Sequence, residues 1–229
     1  MSVAVTPAWS EFLENATLFH NAVRLRHLIW LFEKLVPRGA ELLETGFGSG
    51  TTAILLADMG YRVTILDRDA TLIQRFENRY ADWTTSGRIS VIHGDMLRLP
   101  WTEKRFAVAY HQGVLEHCTD DQIVAALRQQ ARVAGEILFD VPNCRYDAHP
   151  FGDERLLTEA HWKTLIRQAG LHIAGIYGRD FPGWLYAFPF AFFSRTGLFR
   201  LPWLGRRFGK SWIFHCRPNP RNAPEKAEP

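Results

Sequence analysis

Apolar residues follow two rhythms along this chain. Compact runs rich in β-branched and aromatic side chains alternate with longer stretches in which apolar positions return every three or four residues. The compact runs predict seven strands, at 40–43, 61–66, 88–93, 106–110, 136–141, 171–177 and 211–216. The longer rhythm predicts helices. Phe12, Leu13, Ala16 and Phe19 lead into Val23, Leu25, Leu28, Ile29, Phe32 and Leu35, one or two amphipathic helices stopped by Pro37 and Gly39. A further helix is expected over 120–132, with Asp120 and Asp121 at its positive end and Gly135 closing it. Another runs from a Thr158 cap to Gly170. No internal repeat is visible. Strands alternating with helices imply an α/β fold with a mostly parallel sheet.

The first predicted strand runs into Glu44-Thr45-Gly46-Phe47-Gly48-Ser49-Gly50-Thr51. Glycine at every second position allows positive φ and leaves main-chain N–H groups open to a ligand. The spacing decides which ligand. A dinucleotide fingerprint needs a third small residue three positions after the second glycine, and that position is Thr51. A pyrophosphate is therefore disfavoured. The second strand ends in Asp67-Arg68-Asp69 and the third in Gly94-Asp95-Met96. In a doubly wound sheet the end of the second strand faces the glycine turn of the first. Asp67 is then placed to accept two ribose hydroxyls, while Asp69 reads as an N-cap for the next helix.

On these residues the chain resembles the class I methyltransferases that use S-adenosylmethionine, whose first motif is an acid followed by Gly-x-Gly-x-Gly. The resemblance implies a Rossmann-like, doubly wound, seven-stranded sheet, mostly parallel, with helices on both faces and the last strand antiparallel. It assigns Glu44, Gly46, Phe47, Gly48 and Gly50 to the methionine end of the cofactor. Asp67 goes to the ribose, Arg68 packs on the adenine, and Asp95 and Met96 meet the adenine edge. The fourth strand leads into His111-Gln112-Gly113 and then Val114-Leu115-Glu116-His117, a run typical of the family that borders the cofactor and the acceptor. His111 and Gln112 stand where many relatives carry Asp or Asn. His117 is expected to hold this loop through its ring nitrogens.

Methyl transfer from a sulfonium needs chiefly an acceptor lone pair held in line, and a base only for a hydroxyl or a protonated amine. His111 is the candidate base, because it sits at a strand end and titrates near neutrality. His20 and His149 are reserves. Phe19, His20, His149, Trp184 and Tyr186 are the expected acceptor contacts, the first two on an amino-terminal helix that covers this pocket in relatives. The expected reaction is O- or N-methylation of a small, apolar or aromatic acceptor. A cofactor-binding regulatory or scaffolding subunit without activity is the alternative, as is an enzyme acting on a lipid-like acceptor at a membrane surface.

Composition frames this reading. The 229 residues, 47% hydrophobic, suit one α/β domain, and a net charge of +3 does not by itself argue for nucleic acid. The motif of enzymes that methylate flipped bases is missing, so no nucleic-acid partner is expected. No metal is expected either, since Asp140 and Asn143 make a poor site for a hard cation. Cys118, Cys144 and Cys216 form no Cys-x-x-Cys pair, and no secretory pattern is expected at the amino terminus, which fits a reducing cytoplasm. The expected organisation is a helical cap at 1–38, a core at 39–217 and a disordered tail at 218–229. Inside the core, 179–210 form an insert dense in aromatic and basic residues. It fits a lid over an apolar acceptor, a homodimer contact, or a peripheral membrane element through 181–207, but it is too short and too broken by proline to span a bilayer.

Overall fold

Leu42 and Leu43, neighbours on strand β1 (Glu41–Thr45), point to opposite faces of the sheet and are both fully buried. This is the signature of a central parallel strand covered on each side. In the computed structural model, which describes residues 18–146, 152–180 and 202–219, β1 pairs in parallel with β2 (Arg62–Asp67) and with β4 (Phe106–Gln112). Beyond these lie β3 (Ile89–His93) on one side and β5 (Ala134–Pro142) on the other. The last two strands, β6 (Leu171–Arg179) and β7 (Ser211–Pro218), pair antiparallel to each other, and β7 inserts antiparallel to β5. The order is β3-β2-β1-β4-β5-β7-β6, the fold class expected from the sequence.

Two helical layers fill the faces. On one, α1 (Leu18–Leu35) and α2 (Thr51–Asp58) bury Leu28, Leu31, Phe32 and Ile54 against Leu42, Ile65 and Tyr110. The described part of the amino-terminal helical segment thus packs on the sheet and shares its core. Tyr61 fixes its end by donating its hydroxyl to the carbonyls of Phe32 and Val36, at 3.2 and 3.1 Å. The Phe32 carbonyl also accepts the Val36 N–H, while that of Val36 is one a helix end leaves open. On the opposite face, α5 (Asp120–Val133) and α6 (Glu159–Gln168) bury Ile123, Leu127, Trp162 and Leu165 against Phe139 and Phe214. The helices α3 (Ala70–Arg79) and α4 (Ala81–Thr85) link β2 to β3.

The capping expectations are met. Asp69 accepts the N–H groups of Thr71 and Leu72, and Thr158 accepts that of His161. Thr119 adds a reciprocal capping box with Gln122 at the start of α5. The expectation for Gly135 is not met. The helix runs to Val133 and the chain turns extended at Ala134, so Gly135 lies inside β5 with no loop between. A Cβ there would come 3.2 Å from the carbonyl oxygen of Ala107, so close strand approach, not helix termination, explains the glycine.

Of the aromatic insert, only its ends fall among the described residues: Arg179 and Asp180, and then α7 (Pro202–Phe208) with the two residues before β7. The helix α7 seats on β6 through two glycines. A Cβ on Gly178 would lie 1.8 Å from the carbonyl oxygen of Gly205, so neither chain leaves room for a side chain. Gly178→Ala is expected to lift α7 from the sheet and destabilise the protein by about 1–3 kcal/mol, as overpacking does. Urea unfolding measures this, and an unchanged midpoint would show that α7 is not anchored at this contact.

Candidate functional site

The three central strands end level with one another, with Glu44 opposite both Ile65 and Tyr110. From that level the chain leaves β1 through Gly46, Gly48 and Gly50, all left-handed at φ 69°, 54° and 67°. Two of these positions also bar a side chain. A Cβ on Gly46 would lie 2.8 Å from Val114 Cγ2, and one on Gly50 would lie 2.2 Å from the Phe76 ring. The turn is tied down by the Gly46 N–H donating to the Leu66 carbonyl at 2.8 Å. Gly50 then opens α2 with no side-chain cap. The Phe47 ring turns into the core, 5.5 Å edge-on to Phe76, so only its main chain faces the turn.

Glu44 is 3% exposed and accepts the Tyr110 hydroxyl at 2.9 Å. Burial pushes its carboxyl up to about 8. Asp67, at the end of β2, is half-buried, and burial raises its pKa as well. Its carboxylate accepts the Asp69 N–H at 3.0 Å, and the neighbouring main chain of Arg68 and Gly48 partly offsets the rise. The acid predicted from the second strand thus meets the glycine turn of the first. Arg68 is exposed, and its carbonyl contacts His93 Nε2 at 3.1 Å. Asp95 is exposed and accepts the Leu97 N–H at 2.8 Å, a local polar turn, while Met96 packs on the core under α5.

The structure corrects the role given to His111. β4 runs two residues further than expected, to Gln112, and side chains alternate along it. Gln112 therefore shares a face with Tyr110 and donates to Thr52 Oγ1 at 3.1 Å, on the side of the glycine turn. His111 points the other way, fully buried and stacked 5.4 Å from Phe139. Desolvation holds its pKa down to about 3, so it is a neutral ring in an aromatic stack and not a base poised near neutrality. Gly113 follows at φ 64°, its N–H donating to the Asp140 carbonyl at 3.2 Å. His117 contacts Asp153 at 2.7 Å, in keeping with a loop-holding role.

The other expected acceptor contacts cannot be brought to this site. His149, Trp184 and Tyr186 lie outside the described residues, and Phe19 and His20 are described only as positions on α1. Sequence reasoning overlooked a different cluster. Asp140 on β5 pairs with Arg179 on β6, and Arg179 reaches on to Asp180. Asp180 sits at φ 54°, a left-handed conformation uncommon for a residue other than glycine. Glu116, in a 3₁₀ turn after β4, is 4% exposed, and burial pushes its carboxyl to about 8. His27 comes down from α1 toward Arg179 and Asp180, with its pKa lowered by burial to about 4. Glu116 had a sequence signal as part of the Val-Leu-Glu-His run, and Asp140 was noted only as a poor cation ligand. Among the described residues, no group of three or more His, Cys, Asp or Glu side chains could hold a metal ion.

This arrangement has known counterparts. Residues 42–136 match the model of a methyltransferase domain. A protein of Mycolicibacterium smegmatis named as a probable S-adenosylmethionine-dependent methyltransferase is 29% identical over 67% of this chain and 60% of its own length. A Mycobacterium tuberculosis protein named likewise is 27% identical over 52% of this chain and 42% of its own. The chain thus spans between two fifths and three fifths of these relatives. Among solved structures, the CcbJ methyltransferase of Streptomyces caelestis superposes with a TM-score of 0.64 at 15% identity, over 86% of this chain and 90% of that one. Magnesium protoporphyrin IX methyltransferase of Synechocystis, solved with S-adenosylhomocysteine, gives 0.62 at 14% identity, over 87% and 83%. In its strand order, glycine turn and strand-end acids the chain resembles the class I S-adenosylmethionine-dependent methyltransferases, and its residues 42–136 carry the match to their methyltransferase domain.

Proposed function

We propose that this protein binds S-adenosylmethionine across the ends of β1, β2 and β4 and methylates a small-molecule acceptor held at the ends of β4 and β5. The observation that carries the reading is the tie between the glycine turn and the end of β2, where the Gly46 N–H donates to the Leu66 carbonyl at 2.8 Å beside Asp67. The residues present fit the cofactor. A left-handed turn in which Gly46 and Gly50 exclude any Cβ offers main-chain groups to its methionine end, beside the buried Glu44. Asp67 has a carboxylate oxygen for ribose hydroxyls, and Arg68, Asp95 and Met96 border the adenine side. Gln112 and Gly113 form the floor between cofactor and acceptor. When bound, the sulfonium supplies an activated methyl group.

What remains for the protein is placement. Fixing an acceptor in line can account for roughly 7–11 kcal/mol of barrier. The neutral His111 supports this site from behind: with Phe139, Phe214 and Trp162 it forms a stack that holds the ends of β4 and β5. The acceptor we favour is apolar or aromatic in its body, in keeping with the aromatic residues that follow β6 in the sequence. No described helix is long and apolar enough to cross a membrane.

Calorimetry with S-adenosylmethionine and S-adenosylhomocysteine tests the cofactor assignment, and folded protein that binds neither would overturn it. Asp67→Ala should weaken either ligand by about 1.5–3 kcal/mol, the worth of a hydrogen bond to a charged group. Unchanged affinity would take Asp67 out of the ribose site. For His111 the sign is fixed by its lowered pKa: below about pH 6.5 the unfolded chain takes up a proton that the folded ring refuses, so its contribution to stability is lost as pH falls toward about 3. Its ring resonances should accordingly show no titration between pH 5 and 8. A midpoint inside that window would restore it as a base.

A further inference from the structure

Beside the proposed cofactor floor lies a charge arrangement that methylation as such does not require. Arg179 is buried, and its guanidinium is consumed: Nε and Nη2 go to Asp140 and Nη1 to Asp180. Asp180 is further held by the Ser211 hydroxyl. The charges that act on Glu116 are Asp140 from β5, Glu154 from the stretch before α6, and Arg179 from β6. Among the described residues, two carboxylates thus act on it together with one guanidinium that Asp140 and Asp180 already hold. His27, the group that α1 directs toward this cluster, is held neutral by burial and brings no compensating charge.

Within this cluster Glu116 stands apart. It is 4% exposed, and its Oε2 has no hydrogen-bond partner. An enclosed carboxyl oxygen with nothing to accept from costs free energy, and native structures rarely keep one without a use. The carboxyl is also placed for use. Its Oε1 lies 3.7 Å from where a Cβ on Gly113 would stand, so it borders the turn that ends β4. Its carbonyl accepts the Arg155 N–H at 2.9 Å, which fixes the loop that carries it.

We propose that Glu116 is the group that receives the methyl acceptor, and that the acceptor is an amine, whose ammonium form donates a hydrogen bond to Oε2. This rests on the cofactor assignment above and deepens it by naming the substrate class. An ammonium supplies the donor that Oε2 lacks and brings a positive charge beside the carboxylates that act on Glu116. A carboxylate or phosphate acceptor would be repelled by the same groups. The ammonium has no lone pair to methylate. In the reacting complex an N–H bond breaks, the proton passes to Oε2, and the nitrogen keeps the electron pair that methyl transfer needs. Burial pushes the Glu116 carboxyl up to about 8 in the empty site, so it ionises on pairing with the ammonium and is then able to take that proton back as methyl transfer proceeds.

The proposal is tested on the full chain saturated with S-adenosylhomocysteine, with benzylamine as probe and benzyl alcohol and benzoate as its neutral and anionic counterparts. Calorimetry in buffers of different ionisation enthalpy counts the protons exchanged. Benzylamine should bind best and release close to one proton per site at pH 7, because Glu116 ionises as it pairs. E116Q should weaken benzylamine at least tenfold, abolish the proton release and leave S-adenosylhomocysteine affinity unchanged. Equal or tighter binding of benzyl alcohol or benzoate, no binding of any probe, or an E116Q protein that binds benzylamine as the wild type does would each overturn it. If E116Q does not fold, the wild-type proton count decides alone. Failure of S-adenosylhomocysteine to bind would instead overturn the cofactor assignment, and is read separately.

Discussion

Parallel pairing of β1 with β2 on one side and β4 on the other is the constraint on which everything else rests. Covered on both faces, β1 cannot slip by a residue without exchanging Leu43 for Glu44 across the sheet, so its register is fixed by burial. That register makes three chain segments turn at one level. Main-chain bonds then join them: Gly46 reaches Leu66 at the end of β2, and Gly113 reaches Asp140 at the end of β5. The site is thus assembled by backbone, and the side chains at it inherit their positions.

Its electrostatics have one cause throughout. Glu44 and Glu116 lie at neighbouring strand ends, each almost wholly enclosed, and each carboxyl is raised to about 8 chiefly by desolvation. An acid in that state regains its charge readily only when a cation arrives beside it. The proposed donor and the proposed acceptor are both cations. Asp140 differs, because Arg179 keeps its carboxylate matched within the protein. These strand ends therefore combine an ion pair between β5 and β6 with two enclosed carboxyls that burial favours in the neutral form.

The strand ends were legible in the sequence because their signals are local. Glycines at alternate positions, an acid closing each of β2 and β3, and a Thr or Asp before a helix each reflect a backbone requirement within a few residues. His111 was misplaced for a reason just as physical. Its side depends on whether β4 stops at Tyr110 or continues to Gln112, and pairing with β5, not local preference, carries the strand on. The Asp140–Arg179 pair joins residues distant in sequence, through an antiparallel edge that no short motif announces. Gly135 misled because it resembles a helix stop while serving contact between strands.

The direct passage from α5 into β5 has a mechanical consequence. A capping box fixes the start of the helix just after the turn that carries Glu116, and without an intervening loop its other end becomes the strand that carries Asp140. The segment from Thr119 to Pro142 therefore runs out along the helix and returns along β5 to the same edge of the sheet. Both acids are thus returned to one end of the sheet, where the Gly113 N–H ties the turn before Glu116 to the Asp140 carbonyl.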